Sequence, residues 1–220
     1  LDGYPDVYVG NDFYENDYLY INQKNGTFLE ESENKLMHTS HYSMGVDIAD
    51  VNNDAFPEII SLDMLPSDPA TLKMSSSEDD YDLFQSKIRE GYFYQYSRNN
   101  LQYNRGNGLF SETGLYSGIA ATDWSWAPLW MDFDNDGYMD ALVGASSFTA
   151  GGHRLMRNNG NGTFADVTPN SGFHNFNGVS TEYVAQDFNN DGFIDVFCGA
   201  SNTIMYNNGN MTFSPVGSLL

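Results

Sequence analysis

Asp132-Phe133-Asp134-Asn135-Asp136-Gly137-Tyr138-Met139-Asp140, followed by Ala141-Leu142-Val143-Gly144-Ala145-Ser146, is the stretch on which the fold turns. Oxygen-bearing side chains at positions 1, 3 and 5 of the first nine residues put three ligands on one side of a tightly turned backbone. Gly137 at position 6 permits the sharp turn, and the apolar run after Asp140 reads as a short strand. The pattern recurs. Asp187-Phe188-Asn189-Asn190-Asp191-Gly192-Phe193-Ile194-Asp195 precedes Val196-Phe197-Cys198-Gly199-Ala200-Ser201. Asp50-Val51-Asn52-Asn53-Asp54-Ala55-Phe56-Pro57-Glu58 precedes Ile59-Ile60-Ser61-Leu62, and Asp2-Gly3-Tyr4-Pro5-Asp6 is the tail of a fourth copy.

A second element alternates with these loops: Asn25-Gly26-Thr27-Phe28, Asn107-Gly108-Leu109-Phe110, Asn161-Gly162-Thr163-Phe164 and Asn210-Met211-Thr212-Phe213. The three complete loops begin 22, 22 and 23 residues after the preceding phenylalanine, a register that marks one structural unit used four times. Loop starts at 50, 132 and 187 leave one long interval, which places an insertion of roughly 28 residues within 63–96. In the insertion, 76–88 carries apolar residues at helical offsets, with Ser76 and Asp79 able to cap its start. One short helix is expected there.

Elsewhere the pattern is β. Each unit divides into four short strands, as in 125–131, 141–146, 153–157 and 163–167, with the Asn-Gly signal at the hairpin tip. Four strands at a period near 52 residues describe a β-propeller blade. The expected fold class is all-β, with blades of four antiparallel strands joined by calcium loops. The divisions are a partial blade over 1–40, a second over 41–120, a third over 121–175 and a fourth over 176–220.

Oxygen ligands at positions 1, 3, 5 and 9, with a carbonyl at 7, suit Ca²⁺, which takes about 6–8 such ligands. Mg²⁺ prefers fewer protein ligands, and transition metals want His or Cys, which these loops lack. An EF-hand needs Glu at position 12, where Ser61, Val143 and Cys198 stand instead. The Asp50 loop is aberrant, because Ala55 replaces the glycine and Glu58 is one methylene longer than Asp.

The acidity follows from these loops. The chain has 220 residues, enough for a sizeable core, and 30 acids against 9 bases give a net charge of −21. That surface repels phosphate backbones, so no nucleic-acid partner is expected, and no anionic membrane surface either. Asp outnumbers Glu 21 to 9 and Asn numbers 24, a bias of turns and calcium loops rather than of solvated helices. Twelve of the 30 acids lie at loop positions. No apolar run approaches the roughly 18 residues of a membrane span. The lone Cys198 excludes an internal disulfide framework and leaves the redox compartment open.

With these motifs laid out, the chain resembles the FG-GAP/VCBS-repeat β-propellers. They include integrin α-subunit heads, cartilage acidic protein and secreted bacterial proteins with ASPIC/UnbV segments. Gly45–Asp54 and Ala121–Trp126 look like the bacterial branch. The resemblance implies Ca²⁺ in the loop joining the first two strands of a blade. The side-chain ligands would be Asp132, Asp134, Asp136 and Asp140; Asp187, Asn189, Asp191 and Asp195; and Asp50, Asn52, Asp54 and Glu58. The carbonyls of Tyr138, Phe193 and Phe56 would join them, and Asp2 and Asp6 match only the end of the motif. Three complete units and three-quarters of a fourth then read as a segment of a larger propeller.

The remaining conspicuous residues read as structural. Cys198 aligns with Val9, Ser61 and Val143 at a packing position, and Trp124, Trp126 and Trp130 recur at even offsets on one strand. His38, His41, His153 and His174 show no ligand spacing, and the sequons at Asn25, Asn161 and Asn210 coincide with hairpin turns. Catalytic signatures such as Gly-x-Ser-x-Gly or His-Glu-x-x-His are missing. The expected function is a calcium-stabilised, non-catalytic module of a secreted or surface-attached protein, binding a glycan or protein ligand. A calcium-dependent polysaccharide lyase and a surface-filament subunit are the alternatives.

Overall fold

Short apolar runs broken by Asn- and Gly-rich turns fold as small antiparallel sheets laid one after another along the chain. The computed structural model describes residues 2–75, 81–146, 152–173 and 182–218. The first sheet has three strands, β1 (Val7–Val9), β2 (Tyr18–Asn22) and β3 (Phe28–Glu30). A one-turn helix α1 (Ser32–Lys35) and a two-residue strand β4 (Thr39–Ser40) lead to the second, which opens with β5 (Gly45–Ala49) and β6 (Glu58–Leu62). The insertion follows as β7 (Met64–Leu65), α2 (Pro69–Ser75), α3 (Tyr81–Arg89) and β8 (Gln95–Tyr96). Strands β9 (Asn100–Asn104) and β10 (Phe110–Glu112) then complete the second sheet in the order β10-β9-β6-β5.

After helix α4 (Gly114–Ser117), the third sheet runs through β11 (Asp123–Met131), β12 (Asp140–Ser146), β13 (His153–Asn158) and β14 (Phe164–Asp166), and β7 adds to its edge. The fourth is β15 (Tyr183–Gln186), β16 (Asp195–Cys198), β17 (Thr203–Asn207) and β18 (Phe213–Ser218). The result is an all-β, propeller-like arrangement. Register repeats from sheet to sheet, since the residue just before each loop pairs with the acid that ends it: Ala49 with Glu58, Met131 with Asp140, Gln186 with Asp195.

The core lies between the sheets. Strand alternation sends Ala141, Val143 and Met156 into one cluster with Ile60, Leu62, Leu101 and Trp130 of neighbouring elements. The intervening Leu142 and Leu155 point the other way, into a cluster with Phe133, Phe173, Val196, Cys198 and Met205. The third sheet is therefore covered on both faces, and for that reason its strand β12 reads as a continuous apolar run after Asp140.

The insertion holds a second short helix, α2, besides the one expected. Residues 76–80, including Ser76 and Asp79, lie outside the described residues. Phe84 of α3 stacks on Tyr96 with ring centroids 5.8 Å apart. Lys87 Nζ donates to Gln95 Oε1, and β4 and β8 pair in parallel. Asp63, where the insertion leaves β6, is fully buried. Its carboxylate accepts Ser40 Oγ at 2.5 Å and the backbone N–H groups of His41 and Tyr42 at 3.0 Å, which ties the segment after β4 to the second sheet.

Candidate metal centre

Loop 132–140 joins β11 to β12, and its shape is set by its own carboxylates. Asp132 Oδ1 and Oδ2 accept the backbone N–H groups of Asp136 (3.1 Å) and Gly137 (2.9 Å), and Asp136 Oδ1 accepts that of Tyr138 (3.0 Å). Asn135 and Gly137 take left-handed backbone, with φ of 57° and 90°. The winding brings oxygens of Asp132, Asp134 and Asp136 within 4.8 Å of one another, the one such group of three acids found among the described residues. Asp134 Oδ1 is buried with no hydrogen-bond partner. Three converging carboxylates and an unsatisfied buried oxygen fit a hard divalent cation.

The other two loops repeat these bonds. Asp50 accepts from Asp54 and Ala55 N–H (3.2 and 2.8 Å), and Asp187 from Asp191 and Gly192 N–H (3.1 and 2.9 Å). Asp54 Oδ1 takes Phe56 N–H at 2.8 Å and Asp191 Oδ1 takes Phe193 N–H at 2.9 Å. At position 3 the amide oxygens of Asn52 and Asn189 accept from Asp54 and Asp191 N–H (3.0 and 2.9 Å). Ala55 keeps the turn at φ 70°, left-handed despite its Cβ. In the partial loop, Asp2 Oδ1 accepts Tyr4 N–H at 3.0 Å, the same bond at the same position.

The acids at position 9 stand on backbone donors, and those of the three complete loops are buried. Asp140 accepts from Phe133 N–H (3.1 Å) and Asn158 N–H (2.8 Å), and Asp195 from Phe188 N–H (2.9 Å) and Asn207 N–H (2.8 Å). Glu58 accepts from Val51 N–H at 3.0 Å, and Asp6 from Asn22 N–H at 2.8 Å. Burial pushes Asp140 up to about 7, against those N–H bonds and helped by the charges of Asp134 and Asp136. Glu58 is likewise raised to about 7, chiefly by burial, with Asp54 and Asp50 adding to the effect.

Two sets of residues that sequence reasoning passed over complete the site. Position 4, read as any residue, is Asn in all three loops, each with left-handed φ (61°, 57° and 61° for Asn53, Asn135 and Asn190). The other set ends the third strand of the sheet. Asn158 Nδ2 donates to Met139 O (3.0 Å) and across to Val51 O of the preceding loop (2.8 Å). Asn207 does the same to Ile194 O (3.1 Å) and Phe133 O (2.7 Å). Just before Asn158, Arg157 reaches the loop itself: Nε lies 2.7 Å from Asp134 Oδ2 and Nη2 lies 2.9 Å from Asp136 Oδ2.

The residues read as structural have structural surroundings. Cys198 is fully buried, and burial pushes its thiol up to about 12. Trp130 packs on Phe164 at 5.5 Å, and Trp124 stacks on Trp126 at 6.2 Å. His38 Nε2 lies 3.2 Å from Glu112, His41 lies 3.3 Å from Ser97 Oγ and His153 lies 2.5 Å from Tyr183 Oη; His174 lies outside the described residues. Asn25, Asn161 and Asn210 accept the N–H groups of Thr27, Thr163 and Thr212 at 3.0, 3.1 and 3.2 Å, so each sequon is also a turn. Among the described residues no helix is long and apolar enough to cross a membrane.

Comparison with known sequences matches residues 1–61 and 88–143 to the FG-GAP-like repeat. The break between the two segments falls on β7, α2 and most of α3, so the insertion interrupts a repeat. No curated protein matches the chain. Among solved structures, one from a study of an Agrocybe aegerita lectin's recognition of non-reducing terminal N-acetylglucosamine aligns with 99% of this chain at 18% identity and a TM-score of 0.55. The chain spans about half of that structure (49%), and at that identity the likeness is one of fold.

Proposed function

The chain belongs to the FG-GAP-like repeat family, and on that premise we propose that it is a calcium-stabilised binding module of an extracellular protein. The convergence of Asp132, Asp134 and Asp136, in a loop built twice more with the same bonds, carries the reading. In the middle loop these three carboxylates would hold the ion. Asp50, Asn52 and Asp54 would do so in one flanking loop, and Asp187, Asn189 and Asp191 in the other. Glu58, Asp140 and Asp195, with the carbonyls of Phe56, Tyr138 and Phe193, complete the oxygen set.

Calcium bound there neutralises carboxylates that otherwise repel across a few ångströms, and so stabilises each strand-to-strand corner. Extracellular calcium supports sites as weak as about 10⁻⁴–10⁻³ M, a range open to small exposed loops of this kind. The ligand class is a glycan or a protein surface. The lectin of like fold supports the glycan half of that statement by analogy alone.

The test is thermal unfolding in EDTA, then with Ca²⁺ or Mg²⁺ restored. A fall in Tm with chelator, reversed by Ca²⁺ more than by Mg²⁺, is expected. Unchanged melting would remove the metal from the account. Screening the calcium-loaded protein on a glycan array addresses the ligand class.

A further inference from the structure

In every loop the outer oxygen, Oδ2, of the position-5 aspartate has a side-chain nitrogen beside it. Asp54 takes Asn52 Nδ2 at 2.9 Å and Asp191 takes Asn189 Nδ2 at 2.9 Å, while Asp2 of the partial loop pairs with Lys24 Nζ at 2.8 Å. Loop 132–140 has Asp134 at position 3, which as a carboxylate has no proton to donate. Arg157 takes over from β13, bridging Asp136 Oδ2 and Asp134 Oδ2. The equivalent strand positions, each just before the stapling asparagine, hold Tyr103 and Tyr206. Tyr103 Oη stands 2.5 Å from Asn52 Nδ2. Asn at position 3 thus goes with Tyr on the strand, and Asp goes with Arg. The exchange balances charge: loop 132–140 has four acids where the flanking loops have three, and Arg157 cancels the extra one.

From this we infer that Arg157 is a built-in competitor for the cation of loop 132–140. The inference rests on the calcium reading and assigns the three complete loops different behaviour. With Arg157 in place, the position-3 and position-5 carboxylates of the middle loop already share a cation. This loop keeps its fold when calcium is scarce and binds calcium more weakly than its four acids alone would. In the flanking loops the competing donor is a neutral amide, which needs only to rotate about its own side-chain bond.

In the middle loop a divalent ion meets a fixed positive charge, and Arg157 must withdraw or share. It has room to withdraw: the side chain is 41% exposed and lines, with Asp134, Asp166 and Asn170, an open cavity of about 550 Å³. It also has a way to share, because Asp134 Oδ1 is left without a partner while Oδ2 holds the guanidinium.

The experiment is calorimetric Ca²⁺ titration of the full chain, with and without Asp54→Ala and Asp191→Ala to silence the flanking loops. In that double-variant background Arg157 is retained or replaced by Tyr, the residue at the equivalent positions. R157Y is expected to bind Ca²⁺ about tenfold more tightly, the order of a unit charge opposing a divalent ion through a largely aqueous dielectric. In EDTA the same substitution is expected to lower Tm by a few degrees, since four acids then face one another uncompensated. R157K, which keeps the charge without the fork, is expected to fall between, and it carries the comparison if R157Y does not fold.

Opposite signs in the two measurements separate competition from simple loop ordering. An arginine that merely ordered the loop would, once removed, weaken calcium binding as well as stability. Equal or weaker binding by R157Y overturns the competition. Calcium binding by the unmutated chain but not by the double variant overturns the assignment to loop 132–140. Absence of binding by the unmutated chain overturns the calcium reading itself.

Discussion

Asn53 reaches out of its own loop to donate its side-chain amide to the carbonyl of Gly137, 2.8 Å away in the next loop, and Asn135 repeats the contact to Gly192 at 3.2 Å. Each asparagine also holds left-handed backbone, which Asn tolerates better than most residues. Two jobs fall on one residue, and substitutions can part them. Asn53→Gly keeps the backbone and loses the bond, so a loss of about 1 kcal/mol is expected by urea unfolding. Asn53→Ala also forces an alanine into left-handed backbone, and a loss of about 2 kcal/mol is expected. An Asn53→Gly variant as stable as the unmutated chain would show that the contact between loops contributes nothing, and equal losses in the two variants would show that the left-handed backbone does not.

The staple on the third strand is buried and should cost more to remove. Asn158 is 2% exposed, and its amide serves two carbonyls, Val51 and Met139. Asn158→Ala leaves both without this donor, and a loss of about 3 kcal/mol is expected. Asn104 is the internal control. It stands at the same strand position, and its Oδ1 accepts Gly106 N–H as that of Asn158 accepts Gly160 N–H. Its Nδ2, however, donates one long bond, 3.3 Å to Pro57 O, so Asn104→Ala is expected to cost about 2 kcal/mol less than Asn158→Ala. Comparable losses at the two positions would contradict the reach of Asn158 into the neighbouring loop.

These contacts mark where reading the chain stops. Position 1-3-5-9 oxygens and the Asn-Gly tips are local, so the strands around Asp132–Asp140 were legible from nine residues and a period. The bond from Asn158 to Val51 joins residues 107 apart. Its asparagine does recur, three residues before each hairpin tip at Asn22, Asn104, Asn158 and Asn207, but the recurrence does not say which carbonyls it reaches. Arg157 reads simply as a strand residue until β13 is laid beside its loop. Position 4 did carry a signal, three asparagines at one place, but the motif treats that place as free. The need for left-handed backbone beside the turn would have exposed it. In the insertion, helix α3 was legible from its apolar offsets. Helix α2, seven residues with only Thr71 buried, has no comparable stripe to read.

Two residues stand where repeats place glycine, and they should respond oppositely to restoring it. Ala55 has φ 70° and Met211 has φ 61°. Ala55→Gly relieves left-handed strain at an exposed loop and is expected to raise stability by about 1 kcal/mol. Met211 is 8% exposed and belongs to the cluster around Phe133 and Phe213. Met211→Gly relieves similar strain but removes a buried side chain of about 1.5–3 kcal/mol, so a net loss is expected. A destabilised A55G would mean that Ala55 is not strained.

Asp17 predicts a pH dependence away from the metal loops. Fully buried, it accepts Tyr8 Oη at 2.7 Å and Asn11 N–H at 2.9 Å, yet burial still raises it to about 6 from an ordinary 3.8, with Asp63 adding a little. The folded state therefore holds this proton more tightly than the unfolded chain. Stability from this group is present below about pH 4, falls as pH rises through 6 and is flat beyond, a swing of about 3 kcal/mol. Asp17→Asn keeps an oxygen for Asn11 and removes the titration. In EDTA, the stability of D17N relative to the unmutated chain should therefore be greater at pH 7 than at pH 4.5. Asp63, also raised by burial, is present in both proteins, so its own titration largely drops out of the comparison. An equal difference at the two pH values would mean that Asp17 is ionised in the folded state at both.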